Sequence, residues 1–270
     1  MKIKYFCPHW GSGHRDFNQF IKKVKDAGYD GVEMSLPYGD TEKKEILGLL
    51  EHHDLLFIAQ HWETQTSDFN EHKKKYRNRL ENLASGKPLL INSQTGKDFF
   101  SFEQNSALIE IADEVSHKHG IKIIHETHRG KFSFSAHITM EYLQKLPNLR
   151  IGLDISHWCN VAESFLEDQN QAVTLALSRA DHIHARVGFP EGPQVPDPRV
   201  PEWNSALLIH QRWWNDIITN KQKSGQDIFT ITPEFGPPPY MAIMPFTQQP
   251  ISDQWQINIF MMEYLKSIFI

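Results

Sequence analysis

The sequence predicts an α/β protein built as a single (β/α)8 TIM barrel. Three observations lead there. Eight short β-like runs alternate with helix-like segments along 270 residues, the pattern of parallel strands joined by crossovers. No glycine-rich phosphate loop follows the first run, which argues against an open doubly wound sheet. No low-complexity tract or Pro/Ser linker divides the chain, and its length is ordinary for one α/β barrel, so residues 1–270 read as one domain.

The elements follow in order. The first run is 3–7, with a Gly-containing turn and a helix near 16–27. Run 30–34 leads to a helix near 41–53, and run 55–61 to the charged segment 68–84, EHKKKYRNRLEN at its centre. That segment reads as a solvated helix face. Run 89–93 precedes a helix near 102–119, and run 121–126 a helix around 135–146. Run 149–154 precedes a helix within 167–178. Run 181–187 is separated from its helix, 203–223, by the Pro-rich stretch 189–201, FPEGPQVPDPRVP. Long ordered loops of this kind are often functional. Run 228–234 is the last, and an apolar helix over 252–268 either closes the barrel, the favoured reading, or offers a dimer face in a homo-oligomer.

Composition narrows the function classes. Apolar residues make up 40% and charged residues 23%, as expected of a globular protein with a sizeable core. A net charge of −5 gives no reason to expect nucleic acid as a partner. The two cysteines, Cys7 and Cys159, form no disulfide framework or paired zinc motif. The start lacks the apolar run of a signal peptide and no stretch is long enough to span a membrane, so a cytoplasmic location is expected. The informative excess is histidine, with fifteen.

In such a barrel, active sites gather at the C-terminal ends of the strands. The fifth run, IKIIHET, ends on Glu126, and the sixth, IGLDISHW, on Asp154. Alone, Asp154 reads as a helix cap and His157 as an ordinary histidine on the loop above. The seventh run alternates, with His182, His184 and Arg186 on the inward side. The eighth places Thr230, Thr232 and Glu234 inward. Four consecutive strands therefore end on Glu, Asp, His and Glu at one height. Such groups are costly to bury together without compensation. Three carboxylates and an imidazole form a natural shell for one divalent ion: Mn, Mg, Co or Zn. Both His182 and His184 face inward and compete for the histidine position; His184 lies nearer the strand end.

The order of HETHRG, GLDISHW, HIHARVG and TPEFG resembles the xylose isomerase-like TIM-barrel superfamily, and in particular its ketose 3-epimerases. The resemblance implies a divalent-metal-dependent sugar or sugar phosphate isomerase or epimerase. It assigns Glu126, Asp154, His184 and Glu234 as metal ligands. Glu126 and Glu234 would also be the catalytic acid–base pair. His157, in the Asp-x-x-His pattern, and Arg186, at a spacing unlike the epimerase one, would touch substrate.

The chemistry is proton transfer beside a carbonyl through a metal-stabilised enediolate, with a base on one face and an acid on the other. The expected partner is a small sugar, polyol or sugar phosphate. Glu33, His61 and Gln94 end strands two, three and four and are read as inward, toward that substrate. Trp10, Trp62 and Trp158 follow strands one, three and six, where an indole can stack on a sugar or simply pack a loop. Arg129, Arg186 and Arg199 are candidates for an anionic group, though surface pairing is the commoner fate. Two rivals share the barrel. One is a keto-inositol dehydratase. The other resembles endonuclease IV, but strand four ends on Gln94 and the long loop carries Arg199 where that family needs histidine.

Overall fold

The computed structural model describes residues 1–13 and 16–269. Eight parallel strands close into a barrel in sequence order: β1 (Lys2–Pro8), β2 (Gly31–Met34), β3 (Leu56–His61), β4 (Ile91–Ser93), β5 (Ile123–Glu126), β6 (Ile151–Leu153), β7 (Ala180–His184) and β8 (Ile228–Thr232). β1 pairs with β8 to complete the ring, Lys2 beside Ile228 and Tyr5 beside Ile231.

The helices lie between them: α1 (Phe17–Asp26), α2 (Asp40–His52), α3 (Phe69–Ser85), α4 (Phe102–His119), α5 (Ala136–Lys145), α6 (Ser156–Ala162), α7 (Asn170–Arg179), α8 (Asn204–Lys223) and α9 (Gln254–Ile268). Local chemistry sets their ends. Asp16, Asp68 and Asp253 each accept a backbone N–H at a helix start, and Ser101 with Gln104 forms a capping box on α4. α4 stops at Gly120, whose φ of 67° suits a residue without a Cβ.

Strand alternation produces two cores. Outward residues such as Cys7, Val32, Ile151, Leu153 and Ile183 pack under the helices. Phe6, Ile58, Leu90 and Ile124 form a separate cluster, the apolar floor of the lumen. The charged segment becomes α3, with Tyr76, Leu80 and Leu83 turned inward and its lysines outside. Ile257, Met261, Met262 and Leu265 of α9 are buried on the barrel; Ile270 of the apolar tail lies outside the described residues.

Two expectations are corrected. His157 belongs to the first turns of α6 rather than to a loop. His61 faces outward: both ring nitrogens are engaged, with Ser93 Oγ at 3.0 Å and Thr64 Oγ1 at 2.8 Å, and its ring meets Tyr76 of α3. The run LFIAQH does not alternate in polarity, so its phase is set by pairing with β2 and β4. The side chain that β3 sends inward is Gln60. Cys7 and Cys159 are buried free thiols. Among the described residues, no helix is long and apolar enough to cross a membrane.

Candidate active site

At the C-terminal end of the barrel, one ligand atom each from Glu126, Asp154, His184 and Glu234 lies within 4.8 Å of the others, all four residues buried. Atoms bound to one ion at about 2.1 Å lie within about 4.2 Å of one another, so little contraction separates this cluster from a coordination shell. His184 Nδ1 is at its centre, 2.9 Å from Glu234 Oε2 and 3.7 Å from Glu126 Oε1. That nitrogen has no hydrogen-bond partner. An orphaned, buried imidazole nitrogen among carboxylates fits a divalent cation.

Glutamines orient the two glutamates. Gln60 Nε2 donates to Glu234 Oε1 at 2.8 Å, and Gln94 Nε2 to Glu126 Oε1 at 3.2 Å. Asp154 divides its oxygens. Oδ1 accepts from the Ser156 backbone at 3.1 Å and the Ser156 hydroxyl at 2.5 Å, a helix-start role. Oδ2 accepts from Arg186 Nη2. Gly152, beneath Asp154, is required by packing, since a Cβ there would collide with the Asn92 amide.

Arg186 is buried and committed on several sides. Nη2 also donates to His157 Nε2 at 2.8 Å, Nε donates to Ser156 Oγ at 3.2 Å, and Tyr240 covers the guanidinium at 4.8 Å. It is the cation that compensates Asp154, and an ion binding there competes with it. His157 is fully buried behind it and packs against His128, ring centroids 4.0 Å apart and planes tilted by 50°.

Burial raises the pKa of Glu126 to about 8, against the opposing pull of His184. Burial acts the same way on Glu234, but His184 and Arg186 outweigh it and hold that carboxyl below its ordinary value. Burial also disfavours charge on His184, yet Glu234, Glu33 and Glu126 together keep its pKa well above the usual imidazole value. Two glutamates in one site are thus pushed apart, as paired acids and bases are.

A pocket of about 430 Å³ opens above the cluster, lined by Trp10, Trp62, Gln60, Gln94, Arg186 and Tyr240 among others. That is an ordinary size for a small-molecule site. Trp62 is 52% exposed at its lip. Trp10 stands edge-on to Tyr240 at 4.9 Å and lies over Gly236, where a Cβ would displace it.

Other expected residues lie elsewhere. Glu33 faces the lumen but sits beneath the cluster, hydrogen-bonded to His182 and His184, and does not line the pocket. His61 faces away, as above. Trp158 is fully buried, its indole N–H donated to the Ser133 carbonyl at 2.9 Å. Arg199 pairs with Asp197, and Arg129 donates to Asn160 at 3.1 Å. Sequence reasoning missed Gln60, Asn92 and Tyr240. Gln60 and Asn92 follow from phase once β3 and β4 are registered. Tyr240, in PPPY after β8, carries no local periodicity that would reveal it.

No protein-family model and no curated protein matches the sequence. Solved structures do. A 3-keto-D-glucoside 4-epimerase from E. coli is 14% identical over 98% of this chain and 100% of its own, with a TM-score of 0.63. A D-tagatose 3-epimerase-like protein is 14% identical over 98% of each chain, TM-score 0.60. A probable 3-DHS dehydratase from Bacillus anthracis is 17% identical over 98% of this chain and 99% of its own, TM-score 0.58. Others are described as xylose isomerase domain proteins and a sugar phosphate isomerase/epimerase. The class defined is a closed (β/α)8 barrel with a polar pocket at its C-terminal end. In fold it is similar to these isomerase, epimerase and dehydratase barrels.

Proposed function

We propose that residues 1–270 form one catalytic domain, a divalent-metal-dependent isomerase or epimerase acting on a sugar or sugar phosphate. One observation carries this reading: Glu126, Asp154, His184 and Glu234 converge, buried, under a pocket at the C-terminal end of the barrel. These four residues would hold the ion, which when bound polarises a substrate carbonyl and so acidifies the neighbouring C–H.

The chain's own residues supply the rest. Glu234, with the lower pKa, takes the proton from carbon as a carboxylate. Glu126, with the higher, returns a proton at the adjacent position or the opposite face. Gln60 holds Glu234 Oε1 and Gln94 holds Glu126 Oε1, which fixes the orientation of both carboxyl groups. Trp10, Tyr240 and Trp62 wall the pocket and limit water there.

The test is exchange of substrate C–H protons in D2O, followed by NMR. Ketoses, 3-keto-glucosides and keto-inositols are screened with Mn²⁺, Mg²⁺, Co²⁺ or Zn²⁺. Glu234→Gln abolishes exchange in this reading, and a Glu234→Gln variant that still exchanges refutes the assigned role.

A dehydratase is the second reading, favoured by the fold shared with the probable 3-DHS dehydratase. Loss of water from the product identifies it. The endonuclease IV-like reading fares worse. His61 is turned away from the lumen and Arg199 is paired with Asp197, so these two positions bring no further ligand for a multi-zinc cluster to this site.

A further inference from the structure

Glu33, next to last in β2, lies one layer beneath the cluster and is 1% exposed. Each of its oxygens faces an imidazole. Oε1 lies 2.9 Å from His184 Nε2, and Oε2 lies 3.2 Å from His182 Nε2. Thr232 Oγ1 donates to Oε2 at 2.5 Å and Asn92 Nδ2 to Oε1 at 3.1 Å. His182 is braced in turn through Nδ1, 2.7 Å from Thr230 Oγ1. The carboxylate is saturated from below and from both sides, so it has no oxygen left for substrate.

A histidine binds a cation only through a nitrogen with a free lone pair, and the partner of the other nitrogen decides which one that is. A carboxylate against Nε2 demands a proton there. A bare Nε2 would set its lone pair against Glu33 at 2.9 Å. Asn92 Nδ2 is also 3.1 Å from Nε2, but Glu33 and Glu126 accept its two N–H groups, the latter at 3.4 Å. The amide therefore does not compete for the tautomer. With the Nε2 proton held by Glu33, Nδ1, which makes no hydrogen bond and lies 2.9 Å from Glu234 Oε2, is the nitrogen whose lone pair a cation takes, displacing any proton there.

We infer that Glu33 is a positioning residue, which by accepting the Nε2 proton of His184 turns the Nδ1 lone pair toward the cation site. The inference rests on the metal reading above. It gives Glu33 a role through His184 rather than by contact with substrate.

The test uses full-length metal-free protein titrated with Zn²⁺ against a chromophoric chelator, for wild type and Glu33→Gln. Protein labelled with ¹⁵N at histidine is then read by NMR in the Zn²⁺-loaded form, with His184→Ala for assignment. The wild type binds about one ion per chain, with His184 coordinated through Nδ1 and protonated at Nε2. Glu33→Gln weakens Zn²⁺ by about 10–100-fold, the range seen for outer partners of metal ligands. Equal affinity in Glu33→Gln, or a wild-type ring coordinated through Nε2, overturns the inference. The ring assignment needs only the wild type and decides even when the variant fails to fold. Wild-type protein that takes up no ion overturns the metal reading and this inference together, whereas uptake with unchanged affinity in Glu33→Gln overturns this inference alone.

Discussion

Asp181 lies at the N-terminal end of β7, the end of the barrel away from the pocket, and three cations share its carboxylate. Arg150 grips it with two N–H groups at 3.0 and 2.7 Å, Lys221 Nζ donates to the same oxygen as Arg150 Nη2, and Lys122 Nζ lies 3.4 Å away. Arg150 precedes β6, Lys122 precedes β5 and Lys221 belongs to α8, so this knot anchors the strands that deliver Glu126, Asp154 and His184. Asp181→Asn keeps the shape and removes the charge. Taking one partner from a buried ion pair costs about 3–5 kcal/mol. Lys221 is only 7% exposed but Arg150 is 31%, so the expected loss is at the lower end, about 3 kcal/mol. For a chain of this size that lowers Tm by about 6–12 °C.

Burial would raise the Asp181 pKa, but Arg150 and Lys221 hold it well below the ordinary carboxylate value. Its contribution is therefore present above the unfolded value of about 3.9 and lost as pH falls through the lower native value. The gap in Tm between wild type and Asp181→Asn holds from about pH 7 to 5 and narrows below about pH 4. Melting curves at pH 7, 5 and 3.5 measure it. A gap below about 1 kcal/mol, or one that persists undiminished at pH 3.5, refutes the reasoning. Turnover at 25 °C stays within twofold, about 0.4 kcal/mol, because this end of the barrel carries stability rather than chemistry.

Two further substitutions separate wall from scaffold. Trp62→Ala removes an exposed indole at the pocket lip and raises KM several-fold with kcat little changed, as expected for binding energy common to ground and transition states; steady-state kinetics read the split. His61→Phe strands the hydroxyl of Thr64 and loses a bond to Ser93, lowering stability by about 1–3 kcal/mol while kcat and KM stay near wild type. A large loss of kcat in His61→Phe, with Tm unchanged, restores His61 to the site.

The barrel was legible because eight runs recur with helical spacers between them. The phase of β6, β7 and β8 was legible because polar and apolar residues alternate there: Gly152 and Asp154, His182 and His184, Thr230, Thr232 and Glu234. β3 gave no such guide. Phe57, Ile58 and Ala59 suit either side, so neighbouring strands decide that Gln60 enters and His61 leaves. The short helix α6 was hidden because its seven residues follow the strand with only Asp154 and Ile155 between. Glu33 was recognised as inward, but its depth depends on the stagger between strands, which residue spacing does not encode. Tyr240 and Arg186 meet because the loop after β8 folds beside the end of the neighbouring β7, joining segments separated in sequence by α8 and β8.

Metal content, measured by mass spectrometry on wild-type protein purified without chelator and on Asp154→Asn, tests the central claim most directly. Asp154→Asn keeps the side-chain shape beside Arg186 and removes one anionic ligand. The account predicts about one divalent ion per wild-type chain and its loss from the variant, with the fold of both confirmed by circular dichroism. No ion in either protein after incubation with Mn²⁺, Mg²⁺, Co²⁺ and Zn²⁺, or equal content in both, contradicts it.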